Sequence, residues 1–201
     1  SPVTMDSSTA PWPSTTTPST GTFSPGRIRS RSPTAICSTG ISSSLPSSGG
    51  VVRIPAGTYE LKQPLVIRVG DVKLEGAGSA THLVNRSPDR QPAILIKHAD
   101  YPKVRTARLW RITLADFRVS GSKQTGDGIR AEGIDEIYLR GVAVDHNGGN
   151  GIVLRDCYED PRLVGNIITY NAAAGLLLQG CHDIIVSANQ FEENQDAVRC
   201  L

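Results

Sequence analysis

Three successive stretches of this chain carry nearly the same pattern. They read GIRAEGIDEIYLRGVAVDHNGGN from Gly128, GIVLRDCYEDPRLVGNIITYNAAA from Gly151 and GLLLQGCHDIIVSANQFEENQDA from Gly175. The opening glycines are 23 and 24 residues apart, and the closing asparagines Asn147, Asn171 and Asn194 are 24 and 23 apart. Within each copy, short runs alternate apolar and polar residues, the mark of strands with one buried face. Ile129/Ala131, Ile152/Leu154, Leu176/Leu178 and Val198/Cys200 fill one recurring place; Val142/Val144, Asn166/Ile168 and Asn189/Phe191 fill another. A repeat this short holds about three strands and their turns, and leaves no room for a helix. Self-similarity at such a period predicts a solenoid. The fold expected is therefore all-β: a parallel β-helix of about five coils, each copy one coil, stacked roughly 4.8 Å apart.

That register makes equivalent letters vertical neighbours. Ile134, Cys157 and Cys181 each lie six residues after an opening glycine and should form an inward column, with free thiols as small core filler. The asparagines form a second column, whose amides can satisfy turn groups that would otherwise be buried unpaired. Both columns are read as structural.

Residues 1–48 differ in kind. Within the first 50 positions, 14 Ser, 9 Thr and 7 Pro occupy 30 places. Such a composition cannot bury enough apolar surface to offset ordering entropy, so a disordered tail is expected. It reads either as a linker or as a mistranslated start. Residues 49–201 form the predicted solenoid. The formal charge of +2, the dispersed basic residues and an aromatic content of 5% argue against nucleic-acid binding. Cysteines 37, 157, 181 and 200 show no metal-ligand spacing. No apolar stretch reaches membrane-spanning length, and the first residues lack the apolar core of a signal peptide. The last coil breaks off one strand in, at Cys200-Leu201, without a polar cap. The expectation is a fragment of a longer protein, or self-association through uncapped ends.

The opening GGVVRIPAGTYE resembles the start of the pectate-lyase superfamily of right-handed β-helix proteins, through Val51, Val52, Ile54, Pro55, Gly57, Thr58 and Tyr59. The glycine-led coils and the NQFEEN string at 189–194 resemble the parallel β-helix repeat of the same proteins. The resemblance spans residues 49–201. It implies a right-handed solenoid, a secreted or cell-surface location, and action on polysaccharide, although many chemistries share the scaffold. The GDG-x-T-D-D segment and capping helix that usually precede this opening have no counterpart in residues 1–48.

Two clusters are candidates for chemistry. Asp135, Tyr158 and His182 lie seven places after each opening glycine; Glu136, Glu159 and Asp183 lie eight. The middle coil carries one extra residue within Tyr158-Glu159-Asp160-Pro161-Arg162, an irregularity suited to a site. Lyases and C5-epimerases of uronic-acid polymers must neutralise a carboxylate and remove the proton beside it. Tyr158, His182, Arg162 and Asp160 supply the residue types for that catalysis. The stacked carboxylates Glu136, Glu159 and Asp183 repel one another unless solvated or bridged by a cation such as Ca2+. The run Tyr-Glu-Asp-Pro-Arg is similar to the Tyr…Asp-Pro-His motif of alginate epimerases, with Arg162 in place of the catalytic His. The second cluster, Asp145, His146, Tyr170 and Glu192 with Glu193, precedes the asparagine column and offers an acid–base pair and substrate contacts. For both clusters the alternative is a solvated turn. His82 and His98 stand alone and receive no role. The functional expectation is a lyase or C5-epimerase acting on acidic polysaccharide; the alternatives are a non-catalytic glycan-binding or structural β-helix, or an inactive fragment.

Overall fold

A computed structural model describes residues 48–201. The Ser/Thr/Pro-rich segment assigned to 1–48, with Cys37, lies outside the described residues apart from Ser48. Eighteen short strands follow one another, three to a rung. The first rung is Gly50–Arg53 (β1), Gly57–Leu61 (β2) and Leu65–Ile67 (β3); the second is Val72–Glu75 (β4), Thr81–Asn85 (β5) and Ile94–Lys97 (β6). Leu109–Ala115 (β7), Arg118–Ser120 (β8) and Ile129–Glu132 (β9) make the third, and Ile134–Arg140 (β10), Ala143–Asp145 (β11) and Ile152–Arg155 (β12) the fourth. The fifth is Arg162–Val164 (β13), Ile167–Thr169 (β14) and Ala174–Gln179 (β15), and the sixth Ile185–Ser187 (β16), Gln190–Glu192 (β17) and Asp196–Cys200 (β18).

Every strand pairs in parallel with its counterparts one rung away, giving three six-stranded sheets: β1-β4-β7-β10-β13-β16, β2-β5-β8-β11-β14-β17 and β3-β6-β9-β12-β15-β18. The chain thus winds six rungs, one more than the repeat count suggests. Copies cut at their glycines leave Val198–Cys200 as a stub; counted from β16, the same strand closes a complete sixth rung. The predicted register is otherwise the observed one. Ile129, Ile152, Leu176 and Val198 pair in succession, as do Ala131, Leu154, Leu178 and Cys200.

The core is a set of such columns. Leu65, Ile94, Ile129, Ile152 and Leu176 stack on one wall. Leu74, Leu114, Leu139 and Leu163 stack on the second, and Leu83, Val119, Val144 and Ile168 on the third. All of these residues are essentially inaccessible to solvent. Cys157 is fully buried beside Ile134, and its amide donates to the Cys181 sulfur at 3.5 Å, so the Ile–Cys–Cys column forms as expected.

The glycines that open the copies are required by close approach. A Cβ on Gly151 would lie 2.7 Å from the Gly175 carbonyl oxygen and 2.8 Å from the Asn171 amide nitrogen. The asparagines form the second column. Asn147 donates its backbone and side-chain N–H groups to Asn171 Oδ1 at 3.2 and 2.9 Å; Asn171 does the same to Asn194 at 3.0 and 2.9 Å. Asn166 and Asn189 build a matching ladder at another corner.

Candidate functional site

The last three rungs leave the second sheet through one recurring turn. The residue after Asp145, Thr169 and Glu192 takes left-handed backbone: His146 (φ 55°), Tyr170 (φ 55°) and Glu193 (φ 50°). That reversal aims these side chains outward, and the asparagine that follows turns back to the ladder. The three outward residues are therefore stacked, and the His146 and Tyr170 rings lie 5.2 Å apart at 20°. Beside them opens a groove of about 710 Å³, lined by His82, Arg118, Ser120, Ser122, Lys123, Asp145, His146, Tyr170 and Glu193 among others.

Asp145 is the hub of the groove. It is 5% exposed and accepts from Arg118 through both oxygens (Nε to Oδ2 2.8 Å, Nη2 to Oδ1 3.0 Å), from Ser120 Oγ at 2.9 Å and from His146 Nδ1 at 2.7 Å. Burial pushes its carboxyl up. The hydrogen bonds from Arg118, His146 and Ser120, with the Arg118 charge, outweigh burial and hold Asp145 below the usual carboxylate range. An ionised carboxylate only accepts, so the Ser120 hydroxyl donates its hydrogen bond to Asp145. His82 Nε2, 2.8 Å from Ser120 Oγ, then donates to that oxygen. Burial, with Arg118 opposite, lowers the His82 pKa and keeps the ring neutral.

The consequence falls on His146. With Nδ1–H committed to Asp145, the neutral ring carries its lone pair on Nε2, and the side chain is 59% exposed. That is the arrangement of a general base oriented by a carboxylate. Tyr170 donates its hydroxyl to Glu192 Oε1 at 3.2 Å, and this bond raises its pKa. Of the second sequence cluster, Asp145, His146, Tyr170 and Glu193 meet in the groove, and Glu192 reaches it through Tyr170. Sequence reading missed His82, Arg118, Ser120 and Lys123. Ser120 pairs with Asp145 across β8 and β11, a register that the glycine-led copies, which begin at Gly128, do not reach.

The first cluster divides. Tyr158 and His182 stack at 4.2 Å and 9°, and the Arg108 guanidinium lies 4.2 Å from the Tyr158 ring centre. Asp135 does not project beside them: it is 3% exposed and ion-paired with Arg108, which approaches from the loop before β7 and draws the carboxylate inward. Arg162 and Asp160 sit 3.9 Å apart, lining a small hollow with Glu136, Arg111 and Tyr138; neither Tyr158 nor His182 lines it. The extra residue is accommodated where expected, with Glu159 and Asp160 both left-handed and the Glu136 amide shared between the Tyr158 and Glu159 carbonyls. Glu136, Glu159 and Asp183 follow one another along this turn but do not converge. Asp183 is bound instead to His182 Nδ1 at 2.7 Å, and among the described residues no three His, Cys, Asp or Glu side chains gather to hold a metal ion.

No described helix is long and apolar enough to cross a membrane. No curated protein sequence matches the chain. Among solved structures it is similar to ORF18 of Geobacillus virus E2, with a TM-score of 0.56 and 20% identity, covering 76% of this chain. The matched part spans 32% of the viral chain, and at this identity the likeness speaks for the fold alone. The family described as "Right handed beta helix region" matches residues 93–200, which takes in the chain from the second rung's third strand onward and the whole of the His146 turn. With over half its length so matched and its strands wound in six parallel rungs, the chain belongs to the right-handed β-helix family.

Proposed function

We propose that this is a carbohydrate-active β-helix protein whose groove at the His146 turn receives a segment of acidic polysaccharide, with His146 as the base of a lyase or C5-epimerase reaction. The observation that carries this reading is the orientation of His146 by a buried carboxylate that Arg118 keeps ionised. Removal of the proton beside a uronate carboxylate needs a base at that carbon and a positive charge near the carboxylate. His146 Nε2 supplies the first, and Lys123 in the groove wall the second. The Tyr170 ring, 47% exposed, offers a face on which a sugar can lie. A polymeric acidic substrate also goes with a secreted or cell-surface location.

The test is incubation with pectate or alginate. A lyase raises absorbance near 235 nm, and an epimerase exchanges the C5 proton with deuterated water; His146→Gln abolishes either signal while saccharide binding persists. Absence of both signals from the intact protein overturns the catalytic reading. A second reading, glycan binding without turnover, is favoured by Arg118: Asp145 holds it through two hydrogen bonds, leaving less of its charge for a substrate carboxylate. Saturable binding of the same polymers with no product and no exchange selects it.

A further inference from the structure

The groove makes no use of a pair of cysteines stacked on neighbouring rungs. Cys157 follows β12 and Cys181 follows β15, at equivalent places one rung apart, and both are free thiols. The Cys157 amide lies 3.5 Å from the Cys181 sulfur, and the sulfurs hydrogen-bond to main-chain carbonyls, Ala131 and Arg155 for Cys157, Leu154 and Gln179 for Cys181. Adjacent rungs are about 4.8 Å apart, inside the roughly 4.4–6.8 Å window of Cα separations that a disulfide spans. Both side chains belong to the same inward column, so their Cβ vectors run alongside rather than apart.

We propose that Cys157 and Cys181 are a two-electron redox pair that closes an inter-rung disulfide when the protein meets a peroxide. The two thiols are unequal in the way such chemistry needs. Cys157 is fully buried, whereas Cys181 is partly exposed. The neighbouring Cys157 thiol, against the effect of burial, holds Cys181 down at about 7, while the Cys181 sulfur, together with burial, pushes Cys157 well above the ordinary thiol value. The Cys181 thiolate attacks one peroxide oxygen, the O–O bond breaks, and Cys181 becomes a sulfenic acid with release of hydroxide. The Cys157 sulfur then attacks the Cys181 sulfur, the S–O bond breaks, and the departing hydroxide leaves as water with the Cys157 proton. Two thiols give up two electrons, and one peroxide becomes two waters. The product ties the turn after the fourth rung to the turn after the fifth.

The test is peptide mapping of the intact 201-residue chain under non-reducing conditions, after treatment with one equivalent of hydrogen peroxide and capping of remaining thiols. The expected result is a Cys157–Cys181 linked peptide, two fewer capped thiols, and reversal by dithiothreitol. Cys157→Ser stops the reaction at a sulfenic acid on Cys181 that dimedone traps. Linkage of either thiol to Cys37 or Cys200 overturns the proposal. So does wild-type protein in which Cys181 proceeds to sulfinic acid with Cys157 still a thiol, or in which both thiols survive while exposed Cys200 reacts.

Discussion

At the scale of single residues the structure turns on Asp145. Four hydrogen bonds converge on one carboxylate, three from Arg118 and Ser120 on the neighbouring strand β8 and one from His146, the next residue in the chain. Asp145→Asn keeps the shape and removes the charge, leaving Arg118 and Ser120 with a poorer acceptor; the expected cost is about 2 kcal/mol by denaturant unfolding at neutral pH. The pH dependence has a defined sign. A carboxyl held below its ordinary value of about 3.9 contributes stability that is present above that pH and lost as pH falls through the lower folded value. His82 acts in the same direction over a higher window. Its lowered pKa means the unfolded chain takes up the proton first, so stability declines as pH drops below about 6.5. Thermal unfolding between pH 7 and 3 checks both: His82→Asn flattens the upper part of the decline, and Asp145→Asn the part below pH 4. Asp145 and His146 were legible in the sequence because they border the asparagine column. Arg118 and Ser120 were not, lying 27 and 25 residues upstream across a turn longer than the repeat. Asp135 was grouped with Tyr158 and His182 because they share a place in the repeat, and the repeat cannot show Arg108 arriving from a loop to draw its carboxylate away. The Asn85-Arg86-Ser87 sequon is likewise closed in the fold: Asn85 is 1% exposed, its Nδ2 donating to the Gln91 carbonyl and its Oδ1 accepting from the Ser87 amide.

At the scale of the element, the repeating unit is a turn as much as a strand. Short strands of three to seven residues pair well only if the turns between them keep one height per rung, and the asparagine ladders set that height. Asn171 accepts two hydrogen bonds from Asn147 and donates to the Asn194 side chain and the Val144 carbonyl. Asn171→Ala orphans several buried groups at once, and the expected loss is about 3 kcal/mol. Asn194→Ala, at the ladder's more exposed end, costs less. Gly151→Ala tests the other half of the turn, since its methyl would press on a backbone carbonyl that cannot yield; the expected cost is again about 3 kcal/mol. Urea unfolding of the three variants gives the order directly, and equal losses for Asn171 and Asn194 would contradict it. The ladder of Asn147, Asn171 and Asn194 was readable from spacing alone, whereas the Asn166–Asn189 ladder was taken for part of a strand. Asn166 and Asn189, each just before a short strand, donate to the Leu139 and Leu163 carbonyls inside the first-sheet strands one rung earlier, a contact that alternation does not encode.

At the scale of the whole described solenoid, stability is a sum over neighbouring rungs, and the sixth rung has a neighbour on one side among the described residues. The effect is visible within single columns. Leu163 and Leu176 are fully buried in the fifth rung, but Val186 and Val198, which continue their columns in the sixth, are 39% and 41% exposed, and Leu201 is 72% exposed. Each strand of that rung also presents an unpaired edge of amide and carbonyl groups. Apolar surface costs roughly 25 cal/mol per Å² left in water, so an uncovered rung favours whatever covers it. The expected outcome for the chain as given is concentration-dependent self-association in sedimentation velocity. Val198→Lys places a charge in the exposed column and should shift the distribution toward monomer while leaving the circular dichroism unchanged; a monomer at all concentrations without that substitution would contradict the expectation.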